Sequence, residues 1–162
     1  MLEIAHLSTD FGFFEIVVSS KGIQRLQRIA GDGQSTTPKS DLMKEVMQQL
    51  TDYFSSKRRE FDLPLDWEGT SDFYQRVWQA LLNVPYGHTT SYSAIAQEIG
   101  DLNAVRAVGL ANKNNPIAIV VPCHRIIAKN GDLQGYFYGL DMKRRLLALE
   151  NPMSFGEQGS LF

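Results

Sequence analysis

Cys123 is the one cysteine in 162 residues, and it stands between Pro122 and His124 behind the apolar run 117–121. A single thiol closes no internal disulfide and builds no thiolate zinc cluster, so any special chemistry has to lie in its reactivity. The attacking form is the thiolate, and a neighbouring imidazole is a base able to take the proton. Adjacent side chains on an extended strand point to opposite faces. Pro122 has no N–H to continue a ladder, so the chain is expected to turn there. Consecutive residues rarely achieve a direct thiol–imidazole bond, and a bridging water between His124 and Cys123 is the more natural arrangement. His124 needs a carboxylate to fix its tautomer, and Glu150, closing the last helical segment, is the candidate. A lone cysteine can equally be a small buried hydrophobe, so its surroundings have to decide.

The elements that would position these residues fall into two halves. Residues 2–8, 12–19 and 22–30 read as short strands, with a hairpin turn near Lys21-Gly22. A helix is expected over 40–55, with Met43, Val46, Met47, Leu50 and Phe54 on one face. Pro and Gly punctuate a linker over 63–69. Phe73, Val77, Leu81 and Val84 then mark another helix, ended by Pro85-Tyr86-Gly87. Thr90-Ser91 can cap a helix over 92–99 that Gly100 closes, and Asp101 can cap the next, 102–113. Two short helices joined by a tight Gly turn outline a helix-turn-helix. A buried strand over 117–121, a turn at Asn130-Gly131-Asp132, an aromatic loop over 135–139 and a helix over 140–150 complete the reading. The implied class is α+β: a small antiparallel sheet plus helix over 1–66, a mainly helical domain over 71–153, and a flexible tail over 154–162.

Composition narrows the function classes. Hydrophobic content of 43% supports packed cores, and no apolar run approaches the length needed to span a bilayer. One free cysteine fits a reducing compartment, so a cytoplasmic place is expected. Three scattered histidines and no paired ligand spacing argue against a metal site, and nothing calls for a cofactor. The net charge of −2 hides an asymmetry: residues 1–70 carry 8 Lys/Arg against 11 Asp/Glu, residues 71–153 carry 8 against 6. A mildly basic second half suits contact with a few phosphates rather than affinity dominated by charge.

The second helix of the helix-turn-helix is unusual. Asn103-Ala104-Val105-Arg106-Ala107-Val108-Gly109 offers one Arg amid small residues, whereas a major-groove reader wants several long polar side chains. Small residues such as Ala107 and Gly109 allow close helix packing, and they also suit a minor groove about 6 Å wide. Arg106 could then enter the duplex itself.

Pro122-Cys123-His124-Arg125, flanked by Ile119-Val120-Val121 and Ile126-Ile127, resembles the signature of O6-alkylguanine-DNA alkyltransferases. Ser91-Tyr92, Arg106-Ala107-Val108-Gly109, Asn115-Pro116, Gly135-Tyr136 and Gly139 follow the same pattern in order and spacing. The resemblance is dense over about 71–151, and the N-terminal half is similar in outline to a ribonuclease-H-like lobe. It implies a monomeric DNA repair protein that binds duplex DNA in the minor groove, flips the lesion out and moves its alkyl group irreversibly onto Cys123. By that resemblance His124, its water and Glu150 draw off the thiol proton, while Tyr92 presses on the target phosphate and helps protonate the departing guanine. Arg106 fills the gap in the base stack, and Asn115 ties the helix-turn-helix to the active-site strand. The carbonyls of Cys123 and Ile126 accept from the guanine amine, Phe137 N–H donates to O6, and Tyr136 walls the pocket. Arg125 joins Arg106, Tyr92, Ala107 and Gly109 in the expected DNA-contacting set. Phe137-Tyr138 makes the pocket loop bulkier than in relatives with small residues there.

Two rival readings remain open on the residues: a cysteine hydrolase using Cys123, His124 and Glu150, and a non-catalytic DNA-binding regulator. The end of the chain, Gln158-Gly159-Ser160-Leu161-Phe162, looks like the pentapeptide by which bacterial repair proteins hook the replication sliding clamp, although Gly159 replaces the expected Leu. The alternative is that Leu161 and Phe162 fold back onto the chain's own core.

Overall fold

The computed structural model describes residues 1–128, 136 and 138–156. Phe137 and the clamp-like Gln158, Leu161 and Phe162 lie outside the described residues, as do Gly135 and the turn expected at 130–132. The chain divides into two compact units, residues 1–68 together with 116–118, and the remainder.

The first unit is a three-stranded antiparallel sheet in the order β1 (Glu3–Thr9), β2 (Gly12–Val18), β3 (Ile23–Ile29), followed by α1 (Asp41–Phe54). Alternation sets the register. Ala5 pairs with Ile16, Leu7 with Phe14, and Ile16 with Leu26, which puts these side chains on one buried face. Helix α1 starts because Ser40 Oγ accepts the Met43 N–H at 3.0 Å, a cap worth about 1 kcal/mol. Its buried stripe is Met43, Val46, Met47, Leu50 and Tyr53. Phe54, expected in that stripe, is half-buried and stacks on Phe11 instead.

The second unit carries α2 (Asp72–Leu82), α3 (Tyr92–Glu98), α4 (Val105–Lys113), α5 (Leu140–Glu150) and α6 (Pro152–Phe155). Helix α3 is capped by Ser91, whose Oγ accepts from Ala94 N–H. Gly100 follows it at φ 82°, a left-handed conformation that glycine adopts without the Cβ penalty. Asp101 then caps a 3₁₀ turn, Leu102–Ala104, which leads into α4. The expected single helix over 102–113 is therefore a 3₁₀ turn plus α4. Trp78 on α2, absent from the expected apolar face, is buried with its Nε1–H donating to the Ala111 carbonyl of α4 at 2.9 Å. That bond clamps the helix-turn-helix to its supporting helix.

Two expectations need correction. Residues 117–121 do not form a strand. Ile117 makes only an isolated bridge to Leu26, and the chain turns at Ile119 with φ 73°. A β-branched residue there costs roughly 1–3 kcal/mol and persists only where packing enforces it; Ile119 is buried, as are Val120 and Val121. The tail expected to be flexible from 154 onward begins inside α6, which Asn151 caps, and Phe155 packs with Ile127 and Leu147. No helix among the described residues is long and apolar enough to cross a membrane.

Candidate active site

Pro122 follows the buried turn at Ile119, and Cys123–Arg125 form one 3₁₀ turn. Arg125 N–H donates to the Pro122 carbonyl, while Thr90 and Ile127 bracket the turn through Thr90 N–H to Arg125 O and Ile127 N–H to Thr90 O. Ile126 is fully buried and bridges Thr90. From the other side Asn115, just past α4, donates through Nδ2 to the Val121 carbonyl at 2.9 Å. The sulfur-bearing turn is thus pinned between the segment preceding α3 and the end of α4.

A buried ionic cluster lies beneath it. Glu150 Oε2 is 2.7 Å from His124 Nε2, and Arg125 forks onto the same carboxylate, Nε to Oε1 at 2.8 Å and Nη2 to Oε2 at 3.0 Å. A carboxylate only accepts, so Nε2 carries the imidazole proton and Nδ1 keeps a lone pair. Nδ1 is buried with no hydrogen-bond partner among the described residues. Burial pulls the His124 pKa below its ordinary value even though Glu150 opposes it, so the ring is neutral at pH 7 with a lone pair open on Nδ1. For Glu150, burial alone would raise the pKa. His124 and Arg125 overcome it and hold the carboxyl far below the usual carboxylate range.

Cys123 opens on a cavity of about 350 Å³ lined also by Tyr92, Gly109, Asn112, Lys113, Asn115, Tyr136 and Tyr138. Burial raises the thiol pKa, with hydrogen bonding from Asn115 and Tyr136 and the charge of Lys143 acting against it. The resting group is therefore a thiol that needs a base. Tyr92 is also raised, by burial first, and so holds its proton at neutral pH, as a proton donor must. Its ring lies against α4 at Gly109, where an added Cβ would meet Tyr92 Cε1 at 3.9 Å. Tyr136 and Tyr138 meet edge to face at 5.6 Å and wall the cavity.

Arg106 and Ala107 are exposed on α4, with Leu110 and Lys113 beside them. Arg125 is a correction. Expected to contact DNA, it is buried, its Nη1 donating to Val84 O at 2.6 Å and its remaining donors committed to Glu150. All three guanidinium nitrogens point inward and the side chain is 8% exposed, which takes it out of reach of a phosphate. Asn112, Lys113 and Lys143 were not anticipated. Asn112 falls at the helical spacing i, i+3 from Gly109, which is a legible signal. Lys143 shares the i, i+7 face with Glu150, a weaker one. Among the described residues no His/Cys/Asp/Glu group could hold a metal.

Residues 72–152 match the DNA-binding domain of 6-O-methylguanine DNA methyltransferase, and residues 5–67 match its ribonuclease-like domain. The chain belongs to the 6-O-methylguanine DNA methyltransferase family. Within that family, it is 54% identical over 114 residues to a methylated-DNA–protein-cysteine methyltransferase of Mycobacterium tuberculosis, covering 70% of this chain and 68% of the relative. A relative of the same name in Methanosarcina barkeri is 47% identical over 137 residues, covering 82% and 86%. The crystal structure of the Mycobacterium tuberculosis O6-methylguanine methyltransferase superposes with a TM-score of 0.82 at 40% identity over 94% of both chains. A structure of that organism's protein in complex with DNA gives 0.80 at 43% identity over 91% of both. The α+β class, with a ribonuclease-like lobe and a mainly helical part, is that of the family.

Proposed function

We propose that this protein repairs duplex DNA by moving the methyl group from guanine O6 onto Cys123, one lesion per molecule. The observation that carries the reading is a buried thiol facing a half-open cavity, with a neutral His124 fixed behind it by Glu150. Nδ1 of His124 takes the thiol proton through a bridging water. Sulfur attacks the methyl carbon, the S–C bond forms and the C–O6 bond breaks, leaving the electron pair on guanine. Guanine leaves as an anion and takes a proton at its ring from Tyr92; solvent returns a proton to the phenolate as His124 releases the one it took from sulfur, so the thiol proton ends, net, on guanine. A thioether has no ready leaving group, so the thiol is not regenerated. Arg106 and the small residues Ala107 and Gly109 suit the narrow minor groove, with Arg106 replacing the flipped base and offsetting part of the few kcal/mol that flipping costs.

In this reading residues 71–153 act and 1–66 support them, without cofactor or metal, in the cytoplasm that a lone free thiol favours. Intact-mass measurement after mixing with O6-methylguanine duplex checks it. One permanent adduct of about 14 daltons on Cys123 is expected, whereas turnover of an ester with the thiol left bare would favour hydrolysis instead. Tyr138 at the cavity wall, beside Phe137 in sequence, sets a second expectation: methyl adducts react faster than benzyl ones. Equal single-turnover rates on the two duplexes would remove that idea.

A further inference from the structure

Asn112 is 8% exposed, and its Oδ1 is buried with no hydrogen-bond partner among the described residues. A stranded amide oxygen destabilises, and an apolar side chain of the same size would fill the position without it. What the residue contributes has to come from its other end, Nδ2–H, which is not stranded in this way. Asn112 lines the Cys123 cavity together with Tyr92 and Gly109. Gly109 and Asn112 stand at i, i+3 on α4, one above the other on the same face. The Tyr92 ring meets that face with its phenolic end. A Cβ on Gly109 would lie 3.9 Å from Cε1, the carbon next to the one that bears the oxygen. Asn112 follows one turn further along α4, which brings amide and phenol to one stretch of the cavity wall.

We infer that Asn112 positions the proton donor: its Nδ2–H donates to the Tyr92 phenol oxygen, leaving the O–H proton for the departing guanine. The inference deepens the repair reading and rests on Tyr92 as the donor. A phenol oxygen accepts as well as donates, so both bonds can be held at once. As guanine leaves, the proton passes from Oη to the guanine ring and the O–H electron pair stays on oxygen. The Asn112 N–H then faces a phenolate until solvent returns a proton. A hydrogen bond to a charged oxygen is stronger than one to a neutral oxygen, so the amide contributes most at the moment of transfer. Asn112 acts through Tyr92 and touches neither sulfur nor base. Burial raises the Tyr92 pKa and hydrogen bonding from Asn112 acts against it, in line with this geometry. The other titratable side chains on the same wall are Cys123, Lys113, Tyr136 and Tyr138.

Two measurements test it. In the first, 3-fluorotyrosine replaces Tyr92 and ¹⁹F NMR follows its titration without DNA, which separates the outcome from the repair reading. Asn112→Leu should raise the midpoint by roughly half to one unit. The isosteric Asn112→Asp has acceptors but no N–H, and should raise it at least as far. In the second, single-turnover methyl transfer is followed by intact mass at saturating O6-methylguanine duplex, where a change in affinity does not enter. The rate should fall about ten- to thirtyfold in either variant. In a Tyr92→Phe background the same substitutions should change the rate less than about twofold, because the donor they serve is gone. An unmoved midpoint or a rate retained in Asn112→Asp overturns the inference. So does an equal loss with and without the Tyr92 hydroxyl, which would place the amide on the base or in packing alone. Should Asn112→Leu not fold, Asn112→Asp carries both measurements. A shifted midpoint with no methyl adduct in the unmodified protein would leave the Asn112–Tyr92 bond standing and remove the repair function, and the donor role with it.

Discussion

Cys123→Ala abolishes methyl transfer completely while leaving affinity for lesion-bearing duplex within about threefold of the unmodified protein. The first half follows from the sequence: no second thiol exists in 162 residues to take over. The second half follows from where the sulfur sits. Cys123 is 6% exposed at the floor of its cavity, whereas Arg106 and Ala107 stand exposed on α4. Burial keeps the resting group a neutral thiol, so its removal strands no charge. Loss of one sulfur atom from a packed site costs about 1 kcal/mol or less, and the cavity can collapse part of the way. Fluorescence anisotropy on a methylated duplex, paired with intact mass, measures both halves. Residual 14-dalton adduct would mean that another residue accepts the methyl group; a large loss of affinity would mean that Cys123 is part of the binding surface.

Most of the fold was legible because its signals are local. Short β-rich runs between turn residues gave the strands, and Ser91 and Gly100 marked helix boundaries by side-chain capping and permissive φ. Residues 117–121 misled for a physical reason. A short apolar run reads the same whether it pairs as a strand or buries itself in a turn, and here Ile119 is driven to φ 73° by the packing around it. Trp78 escaped because the face read from Phe73, Val77, Leu81 and Val84 leaves out the position whose indole nitrogen finds the Ala111 carbonyl.

The site divides along the same line. Cys123, His124 and Glu150 could be joined from their types, since a thiol needs a base and a base needs an orienting acid. Arg125 could not be placed by type alone. An arginine beside a DNA-facing motif invites a phosphate contact, and only three-dimensional structure reveals that its donors go to Glu150 and Val84. Lys143 shows the converse: its charge suggests solvent, and its burial appears only once α5 is docked.

Glu150→Gln should cost about 3–5 kcal/mol of stability and slow methyl transfer roughly a hundredfold. The carboxylate receives His124 and two donors of Arg125 in a buried setting, so its neutral replacement leaves a guanidinium enclosed without a counter-charge. The amide oxygen of Gln can still accept one bond, which puts the loss toward the lower end. For catalysis, Gln cannot stabilise the imidazolium that forms as His124 takes the thiol proton, and burial then depresses His124 without opposition. The pH signs are definite. Glu150 is depressed in the fold, so its stabilisation is fully present above the unfolded value near 4.3 and is lost as pH falls toward the lower folded one. His124 is depressed too, so the unfolded chain binds its proton first and stability also falls as pH drops below about 6.5. Denaturant melts from pH 7 to 3 should show the unmodified protein losing stability in both windows, and the Glu150→Gln variant with a smaller acidic step below about pH 4.5, since the depressed Glu3 and Asp66 carboxyls remain. An acidic step of the same size in both proteins would place the responsible carboxylate elsewhere, and the partnership with His124 would lose its energetic support.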